Sequence, residues 1–277
     1  MSNCIKFNLK KIVVNKYFLI ALIVELIINL CIVVPSYYHE QKYIENINNY
    51  INNFYNLDCP SSVYNVFILC NTDSIFTKVY VYMIPLISSF ICINILKKNT
   101  VEEKSELSKH IFSKIISGFI GGFLISFVSL TINLIVTGLF FPFIKPEVAT
   151  GLFPLCFNGS FLNCLYESNP LLFVFILIFI YSIFSGYYSI ISFLLSYTFN
   201  TTLFKVLIVF LMNLCISFFL TNIGLFDFDI SNFLLSPSYR YINFNYKSTL
   251  LTVFFEIIFS SILFYSEVRS KLKLVRR

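Results

Sequence analysis

Residues 171–199 read LLFVFILIFIYSIFSGYYSIISFLLSYTF, an unbroken run without a single charged side chain. A helix needs roughly 20 mostly apolar residues, rising 1.5 Å each, to cross a hydrocarbon core about 30 Å thick. This run exceeds that, so it tilts or extends beyond the hydrocarbon. The chain around it is of the same kind. Of its 277 residues, 57% are hydrophobic and only 12% charged. Mean hydropathy is +0.80. Soluble domains carry about 25% charged residues, and disordered chains are poor in apolar ones. A cytosolic enzyme could not cover its surface with so little charge, and disorder is excluded as well. What remains is a membrane protein.

Five more runs qualify as spans: Tyr17–Ser36, Val79–Leu96, Ile115–Phe141, Val206–Leu225 and Thr249–Ser266. The expected architecture is therefore all-α and polytopic, a single transmembrane domain over 1–277 with six transmembrane helices. Outer loops fall at 37–78, 142–170 and 226–248, and an inner loop at 97–114. Gly151–Tyr166 is too short to span and holds Pro154, Asn158, Gly159 and Asn163. The first span is not expected to be a cleaved signal: its run is too long, and no small-x-small site follows it.

Orientation follows the lysine and arginine bias of short loops. The N-terminal segment, the loop after span two, Lys205 and the C-terminal tail together hold 15 basic residues, against five in the presumed outer loops. Eight acids lie in those outer loops. Both termini are therefore expected in the cytoplasm of a bacterial cell, with the chain a multi-pass protein of the plasma membrane. The +6 net charge is accounted for by this asymmetry, and no nucleic-acid partner is expected.

Two segments beside the spans have their own pattern. In Ile5–Lys16 the apolar residues Ile5, Leu9, Ile12 and Val13 recur at helical spacing, with Lys6 and Lys10 on another face. This pattern suits a helix lying at a lipid interface. In the inner loop, Thr100 with Glu103 fits a capping box, and Lys104 through His110 is good helix surface, with Glu106 and His110 at i, i+4. The Lys97–Lys114 loop is longer than a bare connection needs. It reads either as a solvated turn or as a helix that docks a soluble partner.

The opening Ile5-Lys6-Phe7-Asn8-Leu9-Lys10-Lys11-Ile12, continued by Asn15-Lys16-Tyr17-Phe18, resembles the start of ABC-2 type transporter permeases. The acidic-basic stretch from Glu102-Glu103-Lys104-Ser105 to Lys114, the six spans and the inner termini are also similar to that family. The long Asn-rich first outer loop departs from it. The resemblance implies an amphipathic N-terminal helix along the membrane and a coupling helix, here Thr100, Glu102, Glu103, Lys104, Glu106 and Lys109, docked on a separate ATPase subunit. It further implies ABC ATPase partners, a homodimer or a second permease subunit, and a surrounding lipid bilayer. ATP and Mg belong to the partner subunit, and no cofactor is expected in this chain. The cargo would be hydrophobic or amphipathic, a peptide antibiotic, drug or lipid, with bacteriocin or lantibiotic immunity as one instance.

The outer segment Phe226–Lys247 is too apolar to be fully solvated and cannot span. It either dips into the outer leaflet or packs over the mouth of the bundle.

Two acids lie inside spans, Glu25 in the first and Glu256 in the last, each roughly 12 Å from the nearer end. A charge at that depth costs at least ~3 kcal/mol. No lysine or arginine falls in any expected span. Each acid is therefore expected to face the bundle and to hydrogen-bond intramembrane amides, among Asn29, Asn94, Asn133 and Asn213. The role is either structural or coupled to protons. Gly118, Gly121 and Gly122 allow close helix approach in span three.

Of eight cysteines, Cys59 with Cys70 and Cys156 with Cys164 fall in presumed outer loops, where each pair could close a disulfide or remain as thiols. There is no CxxC, no GxxxxGK[ST], no HExxH and no GxSxG. The two histidines, His39 and His110, fall on opposite sides. The chain is therefore not expected to be an enzyme. The alternative to a permease is a non-transporting sensor or assembly factor that uses its outer loops to bind a ligand or partner.

Overall fold

The computed structural model describes residues 2–49, 61–71, 74–91, 107–145, 162–195, 201–235 and 246–274. Among these residues there is helix and no strand. In chain order the elements are α1 (Ser2–Val13), α2 (Lys16–Asn49), α3 (Val63–Val66), α4 (Ile75–Ile91), α5 (Leu107–Phe140), α6 (Asn163–Ser168), α7 (Pro170–Leu195), α8 (Thr202–Ile223), a 3₁₀ turn at Phe226–Phe228, α9 (Ile230–Leu235) and α10 (Tyr246–Leu274). Five helices are long and apolar enough to cross a membrane, at Lys16–Lys42, Phe112–Phe140, Pro170–Leu195, Val206–Ile223 and Lys247–Ser266. The chain is a polytopic helical membrane protein. The second expected span is represented by α4, whose 17 described residues fall short of roughly 20. Positions 92–96 of that span lie outside the described residues.

The bundle is built on α5 and α7. Their seam is lined with small residues because nothing larger fits. A methyl group on Gly122 would meet the Ser189 hydroxyl, and the Ser185 carbonyl at 2.7 Å. One on Gly186 would meet the Phe119 ring at 2.7 Å. The seam also carries hydrogen bonds. Ser185 Oγ donates to the Gly122 carbonyl at 2.7 Å, and Ser185 and Ser88 hydroxyls lie 2.8 Å apart, which ties in α4. Small residues and interhelical hydroxyl bonds are the usual adhesive between helices in lipid, where apolar packing against a neighbour gains little over packing against acyl chains.

At the end of the bundle that bears α1, the near end, that helix lies against α5. Fully buried Ile12 packs on Gly121, at 2.8 Å from where a Cβ would stand. Asn8 Nδ2 donates to Ser113 Oγ at 3.2 Å, and Ser117 Oγ to the Ile5 carbonyl at 3.3 Å. The face that the sequence assigns to lipid is thus shared with protein: Ile12 turns to α5 and Ile5 and Leu9 are half-buried, while Val13 remains exposed. α5 begins eight residues before the expected span. Residues 107–114, expected within the inner loop, are therefore the first turns of this helix. Lys114 lies in it, largely buried beneath α1.

At the far end, part of the expected outer loop 37–78 is helical. α2 continues past Ser36 to Asn49, through Pro35, whose missing amide deprives only the Cys31 carbonyl of its helical donor. After residues 50–60, which lie outside the described set, comes Ser62-Val63-Tyr64-Asn65-Val66-Phe67-Ile68-Leu69-Cys70. From Val63 to Cys70 every apolar side chain is at most 4% exposed. Ser62 caps α3 and Asn65 returns the bond to the Ser62 amide at 2.7 Å. The Val63 amide donates to the Pro142 carbonyl at 3.1 Å, Ser62 Oγ to the Ile144 carbonyl at 3.2 Å, and Thr77 Oγ1 to the Ile68 carbonyl at 2.8 Å. An apolar nonapeptide is too short to span, but it can fill the mouth between α2, α4 and α5 as a cap.

α8 ends on Gly224, whose φ of +80° suits glycine. The amides of Gly224 and Leu225 return to the Thr221 and Leu220 carbonyls. The segment 226–235 packs over the bundle: Ile230, Leu234 and Leu235 are buried, and Tyr181 donates to the Leu234 carbonyl at 2.6 Å. Residues 236–245 are outside the described set. α8 and α10 present Phe218, Phe219, Leu250, Phe254, Phe255 and Ile262 outward, as helices facing lipid do.

Candidate functional site

Glu25 on α2 is fully buried, Glu256 on α10 is 7% exposed, and both turn into the bundle. The groups that meet them are hydroxyls, which corrects the expectation of asparagine amides. Ser126 Oγ donates to Glu25 Oε1 at 3.2 Å, and Ser129 Oγ donates to Oε2. The Tyr187 hydroxyl of α7 donates to Glu256 Oε2. The reason lies in register. Ser126 and Ser129 are three apart on α5 and therefore project from one face, directly opposite the carboxylate.

Around Glu25 the polar groups converge from three helices. On α2, Asn29 follows Glu25 by one turn. On α5, Asn133 follows Ser129 by one turn. The two helices run in the same direction, so the amides lie level with each other. From α4, Tyr80 is fully buried against the same carboxylate and the same two serines, its ring stacked on Tyr181 at 6.3 Å. Asn29 and Asn133 are 1% and 2% exposed. Yet neither amide has a hydrogen-bond partner among the described residues. Buried polar groups are nearly always satisfied.

Glu256 has different surroundings. Beyond Tyr187, whose ring lies 5.2 Å from that of Tyr188, the Tyr188 hydroxyl donates to Asn213 Oδ1 at 2.8 Å. Asn213 Nδ2 donates to Ser231 Oγ at 3.3 Å, and the Ser231 amide to Asp229 Oδ1 at 3.0 Å. Ser217 Oγ donates to Asp229 Oδ2 at 2.7 Å. The chain of contacts links α10, α7, α8 and the 226–235 segment. Asp229 lies beyond the spans, and burial pushes its carboxyl above the ordinary aspartate range, with the bonds from Ser217, Ser231 and Asn232 opposing the shift.

Of the expected intramembrane residues, the structure therefore groups Glu25, Asn29 and Asn133 in one cluster and Glu256 with Asn213 in the other. Asn94 lies outside the described residues. So do Thr100, Glu102, Glu103, Lys104 and Glu106 of the expected coupling helix; Lys109 falls in the first turn of α5. Cys70 is buried in the far-end cap and Cys164 is exposed on α6, while their expected partners Cys59 and Cys156 lie outside the described residues.

The residues that sequence reasoning missed are Ser126, Ser129, Tyr80, Tyr187, Tyr188, Ser217 and Asp229. A signal existed for some of them. Ser126, Ser129, Asn133 and Thr137 recur at i, i+3, i+7 and i+11, a polar stripe along an otherwise apolar helix. Ser182, Ser185, Ser189 and Ser192 form another on α7. No protein-family model, curated protein or solved structure matches this chain.

Proposed function

We propose that the chain is the membrane-spanning permease subunit of an ATP-driven exporter of the ABC-2 type, moving a hydrophobic or amphipathic cargo and powered by a separate ATPase subunit. The near end is then the cytoplasmic one, where Lys6, Lys10, Lys11, Lys16 and Lys109 gather. The observation that supports this reading best is α5. It is one helix of 34 residues, about 51 Å long. Its near end emerges from the 97–114 loop and carries α1. Its middle holds Glu25 of α2, and its far end gives way to Pro142 and Ile144, which hold the cap. A push delivered to the loop by an ATPase would reach the opposite face without passing a hinge. The described spans offer little but apolar and aromatic surface outward, which suits a cargo that leaves from the bilayer.

The test is extraction of the tagged chain in mild detergent and identification of what co-purifies by mass spectrometry, with and without scrambling Asn99–Ser113. An ABC ATPase present with the native loop and absent with the scrambled one supports the permease role. A stable preparation without any ATPase overturns it, and favours the non-transporting alternative in which the far end binds a partner.

A further inference from the structure

The Glu25 cluster has six oxygen-bearing groups and no positive one. Glu25 brings its carboxylate, Ser126 and Ser129 their hydroxyls, Asn29 and Asn133 their amide carbonyls, and Tyr80 its phenol. Glu25 and Tyr80 are 0% exposed, and the two asparagines at most 2%. Ser126 and Ser129 alone bond the carboxylate, and no lysine or arginine among the described residues meets it. The nearest lysine on α5, Lys114, is roughly 18 Å along the helix from Ser126. Both asparagine amides lack partners among the described residues, so the polar capacity here exceeds what the protein itself uses. Elsewhere among the described residues the buried polar atoms without a partner are single groups, Asn15 Nδ2, Ser192 Oγ and Ser260 Oγ, whereas here two whole amides stand beside a carboxylate.

We propose that this cluster is a binding site for a single monovalent alkali cation, held between α2, α4 and α5. Oxygen atoms are the ligands that hard cations take, and carboxylate, amide carbonyl and hydroxyl are all of that kind. The charge count selects the valence. One carboxylate balances one positive charge. A divalent ion would leave a net charge in a dry interior, which is costly. The ion would satisfy the amide carbonyls and would tie α2 to α5 at the level where α5 also meets α7. The proposal does not depend on transport or on an ATPase, because the site lies wholly within this chain.

The test uses the full chain in lipid nanodiscs, without any ATPase. Its thermal midpoint is measured in sodium, potassium and N-methyl-D-glucamine chloride at one ionic strength, alongside binding of radioactive sodium. Sodium or potassium is expected to raise the midpoint saturably by a few degrees over the organic cation, as mass action requires of a ligand that binds the folded state. Glu25→Gln is expected to abolish that rise, Asn133→Ala to weaken the apparent affinity about 10-fold or more, and Glu256→Gln to leave it as in the native chain. Should Glu25→Gln fail to fold, Asn133→Ala and Asn29→Ala carry the test through their titrations. Equal midpoints in the three salts would overturn the proposal, since Glu25 would then be held by a proton and the amides by water. A cation effect that survives Glu25→Gln or both asparagine variants would overturn it too.

Discussion

Glu25 and Glu256 are the same residue type, each in a long apolar helix and each turned inward, but they are accommodated in different ways. Glu25 sits where α2 meets the most closely packed part of the bundle. Two serines of one helix bond it, and orphaned amides stand one turn away. Glu256 sits on a peripheral helix that is mostly lipid-facing; Tyr187 bonds it, and the neighbouring ring of Tyr188 begins a hydrogen-bonded series through Asn213 and Ser231 to Asp229. The tight region thus leaves both amide side chains beside its acid without partners, while in the loose region Asn213 is bonded at both ends and only the hydroxyls of Ser192 and Ser260 are left over. In lipid the cost of an acid is set by its hydrogen bonds more than by its depth. A helix such as α10, with little protein around it, can be pinned by one well-connected polar residue.

The largest effect that would break this comparison is expected at the α5–α7 seam. Gly122→Val would force the helices apart, because the Ser185 carbonyl that the new side chain meets is backbone and cannot swing away. Overpacking of this kind costs about 3 kcal/mol. A lowered thermal midpoint in detergent should report it, together with loss of the Glu25 contacts and retention of those at Glu256.

A smaller effect, and one of different sign, separates the asparagines. Asn213→Leu removes a bond from Tyr188 and a bond to Ser231. It should destabilise by about 2 kcal/mol. Asn133→Leu removes side-chain atoms that bond nothing among the described residues. In a buffer free of alkali cations it should be neutral or slightly stabilising, since it removes a buried amide without a partner. Equal losses for the two, by thermal unfolding in that buffer, would erase the distinction.

The smallest effect expected is on pH dependence. Burial raises the Asp229 carboxyl above its ordinary range, so the folded chain holds this proton where the unfolded chain has released it. Stability from this group is therefore fully present below the ordinary aspartate value and is lost as pH rises through the raised one. Asp229→Asn should flatten the thermal midpoint across that window, and an unchanged slope in that variant would break the assignment.

How much of this was legible in the sequence differs between the same regions. The long apolar runs read as spanning helices because each is long enough to cross a hydrocarbon core and holds at most one charged residue. Gly121 and Gly122 read as contact points and serve as such, one for α1 and one for α7. Glu25 and Glu256 were visible because charge is rare there. Their partners were not, because serine and tyrosine are common enough in apolar helices to look incidental, and only the i, i+3 repeat on α5 marks Ser126 and Ser129. The cap was hidden for another reason. Val63–Cys70 is apolar but short, and the asparagines on either side dilute its average. Its burial depends on carbonyls at Pro142 and Ile144 that no local pattern connects to it. The length of α2 is not marked locally, because Pro35 and the polar residues after it suggest an end, where the helix continues to Asn49.

The cap also dictates an order of events during synthesis. Val63 and Ser62 find their acceptors at Pro142 and Ile144, far downstream in the chain. Tyr64 meets the Phe143 ring at 5.9 Å. When α2 and α4 have left the ribosome, this greasy stretch has only part of its packing, and it is completed when α5 has been made and threaded. A cell that produces the first third of this protein alone therefore displays a sticky segment to chaperones and proteases. The completed chain hides it.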